Sequence, residues 1–161
     1  MLYDFELAGR RVRLWQRTGE SYEHVLMKAL GYAMYIGEFP ALEIEQRVGL
    51  RYKPDLVARG SGGSSDGAEF APRFAFWGEC GQTAVRKTAW LLKHAGVARL
   101  VLFKITGNPA ALVKELRDSV DERYRAPGRL FVVNFAPDIV ARTRERRIAR
   151  VRKSWYTRTA V

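Results

Sequence analysis

Two uninterrupted apolar runs, "ARLVLFKI" (residues 98–105) and "GRLFVVNF" (128–135), most narrow the choice of fold for this chain. Runs of that length without alternation belong to strands covered on both faces, as in the centre of an α/β sheet. A third run, "RFAFWGE" (73–79), has the same character until it ends on a carboxylate. Between the runs lie segments of helical character. "TAVRKTAWLLKH" is amphipathic from about Thr83 to His94 and stops at Gly96. "NPAALVKELRDSVDERY" carries Asn108 as a cap and Pro109 in its first turn. "APDIVARTRERR" follows the last run as a further helix. This βα alternation predicts an α/β layered domain with helices packed on the sheet.

The earlier part of the chain adds antiparallel strands. "YDFELAGRRVRLWQ" alternates on either side of Ala8-Gly9-Arg10, the pattern of a β-hairpin. Thr18 is a plausible N-cap for the helix "ESYEHVLMKALGYAMYIG", which Gly37 and Pro40 terminate. "ALEIEQR" alternates as a strand. "YKPDLVAR" does so too, with Pro54 implying an edge, a bulge or a strand start. Residues 60–71, within "GSGGSSDGAEFAP", read as a mobile Gly/Ser-rich loop between two strands. The order predicts a mixed β-sheet flanked by helices and preceded by a hairpin. A single domain spanning 1–161 is expected, with a basic C-terminal segment at 141–161.

Composition bounds the chemistry. Hydrophobic residues are 47 % of the 161, the proportion of a globular domain and not of a disordered chain. No apolar run approaches the roughly 18 residues of a membrane span, so a cytoplasmic protein without a membrane partner is expected. The single cysteine, Cys80, excludes an internal disulfide and a multi-cysteine zinc site. With only His24 and His94 besides, a metal would be held by oxygen ligands, which selects Mg2+ or Mn2+. Cys80 should be a small core residue, and the two histidines a surface group and a helix C-terminal cation. The net charge is +11, from 28 basic and 17 acidic residues. Such a field favours polyanions, nucleic acid first.

Three carboxylates stand out. Glu79 closes an otherwise apolar strand, so it must be exposed at the strand tip, paired, or bound to a metal. Asp55 follows Pro54 inside a strand-like run, although Pro-Asp is also a common turn dipeptide. In the first helix Glu20 and Glu23 are alternatives. Glu23 shares the stripe of Leu26 and Leu30 at i+3 and i+7, which points it inward. An acid in a first helical turn also complements the macrodipole with no further role. If the strands of Asp55 and Glu79 are neighbours, the two carboxylates fall within about 5 Å of each other. Two like charges that close call for a cation between them.

This order, a helical Glu, "PD", an acid on the next strand, then a helix with Gln and basic residues, resembles the PD-(D/E)XK nuclease superfamily. Within it the chain is similar to the YaeQ family over roughly residues 1–105. "YDFELAGRRVRLWQRTGESYEHVLMKALGYAMY", "KPDL" and "ECGQ" carry the likeness. The resemblance implies a restriction-endonuclease-like core and metal-dependent hydrolysis of DNA or RNA phosphodiesters. Glu23, Asp55 and Glu79 would then hold Mg2+ or Mn2+. Where the superfamily pattern has Lys, this chain has Gly81. Gln82, or Lys87 with Arg86 on the following helix, would attend the phosphate instead. Arg144, Arg147, Arg150 and Lys153 in the tail, interleaved with Trp155 and Tyr156, are nucleic-acid contacts on this reading. The same charges also suit a solvated edge strand. The alternative is a non-catalytic module on the same fold that binds nucleic acid or protein.

Overall fold

The computed structural model describes residues 1–60 and 72–161. Most of the expected Gly/Ser-rich loop at 60–71 lies outside the described residues. The chain opens with β1 (Leu2–Leu7) and β2 (Arg10–Trp15), the expected hairpin. Helix α1 (Tyr22–Tyr35) follows, then β3 (Glu43–Ile44), β4 (Leu56–Arg59), β5 (Phe74–Cys80), α2 (Val85–His94) and β6 (Leu100–Lys104). The remainder is α3 (Pro109–Ser119), α4 (Glu122–Arg125), β7 (Leu130–Phe135), α5 (Ile139–Arg142) and β8 (Arg147–Ile148). A 3-10 turn over Lys153–Trp155 leads into β9 (Tyr156–Ala160).

Two sheets form. The larger has the order β3-β4-β5-β6-β7-β9, and the smaller is β2-β1-β8. β5, β6 and β7 run parallel, whereas β3, β4 and β9 join antiparallel at the margins. The sheet is therefore mixed, as the early hairpin-like strands and late βα alternation require. β6 lies between β5 and β7 and is buried throughout, which accounts for its unbroken apolar run. One face carries Phe76, Cys80, Val101 and Phe103 against α1. The other carries Phe74, Trp77, Leu100 and Leu102 against Leu91 and Leu92 of α2 and Leu116 of α3.

α1 approaches the sheet closely because two glycines remove side chains from the contact. A Cβ on Gly31 would stand 2.6 Å from Leu56 Cδ1 and 2.9 Å from Phe103 Cζ. One on Gly78 of β5 would meet the same two side chains at 3.0 Å each. Leu56 and Phe103 thus fill space vacated from above and from below.

Several boundaries differ from the sequence expectation. α1 is capped by Ser21, whose hydroxyl accepts from the His24 amide, and not by Thr18. Thr18 to Glu20 stay outside the helix because the Glu20 carboxylate folds back onto the Arg17 amide. The strand "ALEIEQR" shrinks to Glu43–Ile44, because Glu45 turns to φ 55 and, after its amide donates to the Asp55 carbonyl, the chain departs from β4. The long helix after Asn108 breaks at Val120, where Asp121 begins the short α4. Replacing Gly31 with Val should destabilise the protein by about 1–3 kcal/mol through overpacking, measured by urea unfolding. An unchanged midpoint would show that α1 is not seated on Leu56 and Phe103.

Candidate functional site

The polar groups gather where β4 begins and β5 ends. In the β4–β5 ladder Leu56 faces Gly78, so one step further Asp55 stands opposite Glu79. The Asp55 amide donates to the Gly78 carbonyl at 3.2 Å, which ties that step down. Pro54 just before it has no N–H to contribute, so the ladder starts here. The Asp55 carboxylate reaches past the strand end: Oδ2 accepts from the Cys80 amide at 2.7 Å. Its other oxygen, Oδ1, lies 3.2 Å from His24 Nε2.

Glu79 is 4 % exposed and fully committed. Oε1 accepts from Trp77 Nε1 at 2.7 Å, since residues two apart on a strand share a face. Oε2 accepts from Lys87 Nζ at 2.6 Å, from the first turn of α2. Burial nevertheless wins at Glu79 and holds its carboxyl above the usual value, with Lys87 and Trp77 offsetting only part. At Asp55 the balance is reversed. Burial opposes ionisation, but the bonds from His24 and the Cys80 amide, with the charges of His24 and Lys28, hold this carboxyl below its usual value. The Asp55 charge is itself one of the influences that raise Glu79. Adjacent acids are thus pushed in opposite directions by their surroundings.

A second set of charges extends the site along α1. Glu20, His24 and Lys28 are spaced by four residues, so they stack along one face of the helix start. Lys28 is fully buried and donates to Glu20 Oε1 at 2.6 Å and to Glu45 Oε1 at 3.0 Å. Burial alone would favour the neutral amine. The two carboxylates outweigh it and raise Lys28 above the ordinary lysine value. His24 Nε2 lies 3.6 Å from Glu20 Oε1 and so links this group to Asp55.

The expectation that Glu23 points inward is corrected. It is exposed, and among the described residues no hydrogen bond or ion pair holds it. Every position from Val25 to Tyr32 is buried, so sharing a stripe with Leu26 and Leu30 does not identify the inward face of the first turn. Glu20, the other candidate, occupies that place. His24, expected at the surface, is the second correction, since it is the residue that bridges α1 to Asp55. Gln82 and Arg86 are exposed at the rim of the site. Cys80 is buried on the α1 face of the sheet, and burial drives its thiol well above the ordinary range, so it is an inert core group.

The glycine at position 81 suits its surroundings. Gly81 has φ +74, and a Cβ there would stand 3.1 Å from His24 Nδ1. The imidazole therefore crowds the position where a side chain at 81 would start. Lys104 was not singled out by the sequence, although its position at the end of an apolar run parallels that of Glu79. It is 8 % exposed and donates to the Gly81 carbonyl; burial lowers its ammonium below the ordinary lysine value.

The basic tail forms a separate feature. Arg147, Arg150 and Lys153 line an open cleft of about 490 Å³ with Arg152 and Trp155. Arg144 lines a neighbouring hollow of about 260 Å³ beside Arg147. None of the clustered carboxylates lines either one. β8 pairs with β1 in the smaller sheet, and β9 is the margin of the larger sheet opposite to β3.

Among the described residues no three His, Cys, Asp or Glu side chains are arranged to hold a metal. Asp55 and Glu79 are nonetheless an all-oxygen pair facing each other across one ladder. That pair suits a hard ion such as Mg2+, which keeps several waters and takes one or two carboxylates. It is too small for a cage made by protein alone, and an ion would have to take Glu79 Oε2 from Lys87.

The fold has known counterparts. The YaeQ protein from Xanthomonas axonopodis pv. citri superimposes with a TM-score of 0.55 at 17 % identity, covering 83 % of this chain and 71 % of that one. The YaeQ protein from Pseudomonas syringae gives 0.57 at 18 %, covering 86 % and 73 %. The chain has a YaeQ-like fold. No protein-family model matches its sequence, and no curated protein does. Among the described residues no helix is long and apolar enough to cross a membrane.

Acid unfolding tests the electrostatics of this site. A carboxyl with a depressed folded-state pKa stabilises the fold above its unfolded pKa of about 3.9, and loses that contribution as pH falls through the folded value. Asp55→Asn should therefore flatten the fall in stability below about pH 4. An unchanged slope by chemical denaturation at stepped pH would show that Asp55 is not held ionised by His24 and Cys80.

Proposed function

We propose that this protein is a metal-dependent phosphodiesterase of the PD-(D/E)XK type, acting on DNA or RNA. The observation that carries the reading is the facing of Asp55 and Glu79 across the β4–β5 ladder, with opposite pKa displacements, at a sheet end surrounded by cations. An isolated structural ion pair does not need two acids side by side. Opposed perturbation of neighbouring carboxyls, one raised and one lowered, is a pattern found at sites that handle charge.

Asp55 and Glu79 would hold Mg2+ or Mn2+, which when bound polarises a phosphodiester and lowers the pKa of an attached water. The chain's own residues have the following parts. The Cys80 amide and His24 fix the Asp55 carboxylate at the strand tip. Trp77 holds Glu79 in one orientation through Oε1, and Lys87 pairs with Oε2 until an ion takes that oxygen. Lys28, clamped between Glu20 and Glu45, keeps the start of α1 and with it His24 against β4. Arg86 and Gln82 at the rim would meet flanking phosphates. Arg144, Arg147, Arg150 and Lys153 would bind the nucleic acid further along, away from the carboxylates, with salt-dependent affinity.

A second reading is a binding module on the same fold. It is favoured by one observation: Glu79 Oε2 already pairs with Lys87, so the carboxylate has a permanent cation without any metal. Labelled single- and double-stranded DNA and RNA, incubated with Mg2+, Mn2+ or chelator, separate the two. The hydrolase reading expects metal-dependent cleavage, reduced about a hundredfold or more in Asp55→Asn, since removing such a group costs several kcal/mol of transition-state stabilisation. Salt-sensitive retention with no cleavage in any metal supports the module. No retention at low salt overturns both.

A further inference from the structure

The carboxyl ends of β5 and β6 carry a set of hydrogen-bond donors that the two carboxylates do not use. Cys80 faces Phe103 in the parallel ladder, so the next step sets Lys104 beside Gly81, whose carbonyl accepts from its ammonium. Lys104 alternates with Leu100 and Leu102, which pack with α2, so its side chain belongs to the α2 face of the sheet. That is also the face of Trp77 and Glu79. An ammonium has three N–H donors, and Lys104 is nine-tenths buried with one backbone carbonyl as its acceptor among the described residues.

Two further donors lie in the short segment from Gly81 to α2. The Thr83 hydroxyl is buried and has no hydrogen-bond partner among the described residues. α2 begins at Val85 behind Ala84, which has no side chain able to cap it. The amides of its first turn therefore lack both an intrahelical acceptor and a capping group, and they face back toward the strand ends. The one acceptor Ala84 offers, its carbonyl, already takes the Thr88 amide and hydroxyl. The buried cation and the uncapped amides can only donate, and the orphaned hydroxyl can donate as well, so together they suit an anion with several acceptor oxygens. The nearby negative charge of Glu79 is met by Lys87 at 2.6 Å, so it does not close this corner to an anion.

We infer that Lys104, the Thr83 hydroxyl and the first-turn amides of α2 form a binding site for a phosphate group of a nucleic-acid backbone. The inference rests on the proposed function for the choice of nucleic acid, and it deepens that reading by assigning the phosphate to residues other than Gln82 and Lys87. Lys87 is spoken for by Glu79, whereas Lys104 has donors to spare. The location agrees with the general placement of ligands at the carboxyl ends of strands in open α/β sheets. A tetrahedral oxyanion can accept from Lys104, from Thr83 and from an amide at once, as at other helix N-termini.

The test uses no cleavage. The full chain, labelled with nitrogen-15, is titrated in chelator with inorganic phosphate, and separately with single-stranded oligothymidylate, against chloride of equal ionic strength. Both ligands should shift the amide resonances of Thr83 to Lys87 saturably. Lys104→Met should weaken phosphate binding about tenfold or more, the worth of a hydrogen bond to a charged group, and Thr83→Val a few-fold. If neither ligand shifts these amides, or both variants bind phosphate as the wild type does, the site is overturned. Shifts by inorganic phosphate alone would overturn the backbone assignment and name free phosphate as the ligand. A protein that binds both here yet never cleaves sinks the hydrolase and leaves this site standing. One that cleaves without these shifts does the opposite.

Discussion

The seating of α1 on the sheet governs everything else at the site. Gly31 and Gly78 let Leu56 and Phe103 lie between helix and strand with no intervening side chain. Gly31 sits three residues beyond Lys28 and seven beyond His24, which is the same helical face. Drawing the helix down at Gly31 therefore presses Lys28 between Glu20 and Glu45 and brings His24 to Asp55. It also disfavours a side chain at 81, where φ is +74 and a Cβ would press on the His24 ring at 3.1 Å. A single packing constraint in the apolar core thus governs which polar groups meet at the strand ends and favours glycine at 81.

The charges that result are not an economical way to hold a fold together. A buried ion pair between good partners often stabilises no more than well-packed apolar groups of the same volume. Here Lys28, Glu20, Glu45, Asp55, Glu79, Lys87 and Lys104 converge on one end of one sheet, and burial acts against the charged form at several of them. Each acid has a cation or an N–H within reach. The donors at Lys104, Thr83 and the start of α2 outnumber their acceptors. The imbalance is in the direction of an anion, which is the sign the whole chain favours at +11. The tail carries positive charge of a different kind, exposed and spread around an open cleft, suited to a polyanion passing over the surface.

Much of this was legible in the sequence, for identifiable reasons. The unbroken run of β6 announced a strand covered on both sides, and the change of period after Gly81 announced a helix crossing back over β5. Asp55 and Glu79 could be paired because one follows a proline at a strand start and the other ends an apolar strand. What escaped depends on register and on non-local contact. Glu20 rather than Glu23 turns inward because it precedes the Ser21 cap, outside the helix, where its carboxylate folds back to accept from the Arg17 amide and from Lys28. His24 is unremarkable until Gly81 arrives beneath it from 57 positions away in the chain. Lys104 shared the signature of Glu79, a charge at the end of an apolar run, and only the parallel pairing of β5 with β6 shows that the two face the same side. The likeness to the YaeQ proteins, at 17–18 % identity, accounts for the fold and leaves these particular contacts to the present sequence.

The account stands most directly on whether Asp55 and Glu79 act as one cation site. Titration of the protein with Mn2+, read by water-proton relaxation, measures this without a substrate. The account predicts one saturable site that disappears in Asp55→Asn and in Glu79→Gln and is unchanged in Glu23→Gln. Mn2+ binding that survives both of the first two substitutions, or that depends on Glu23, would contradict it.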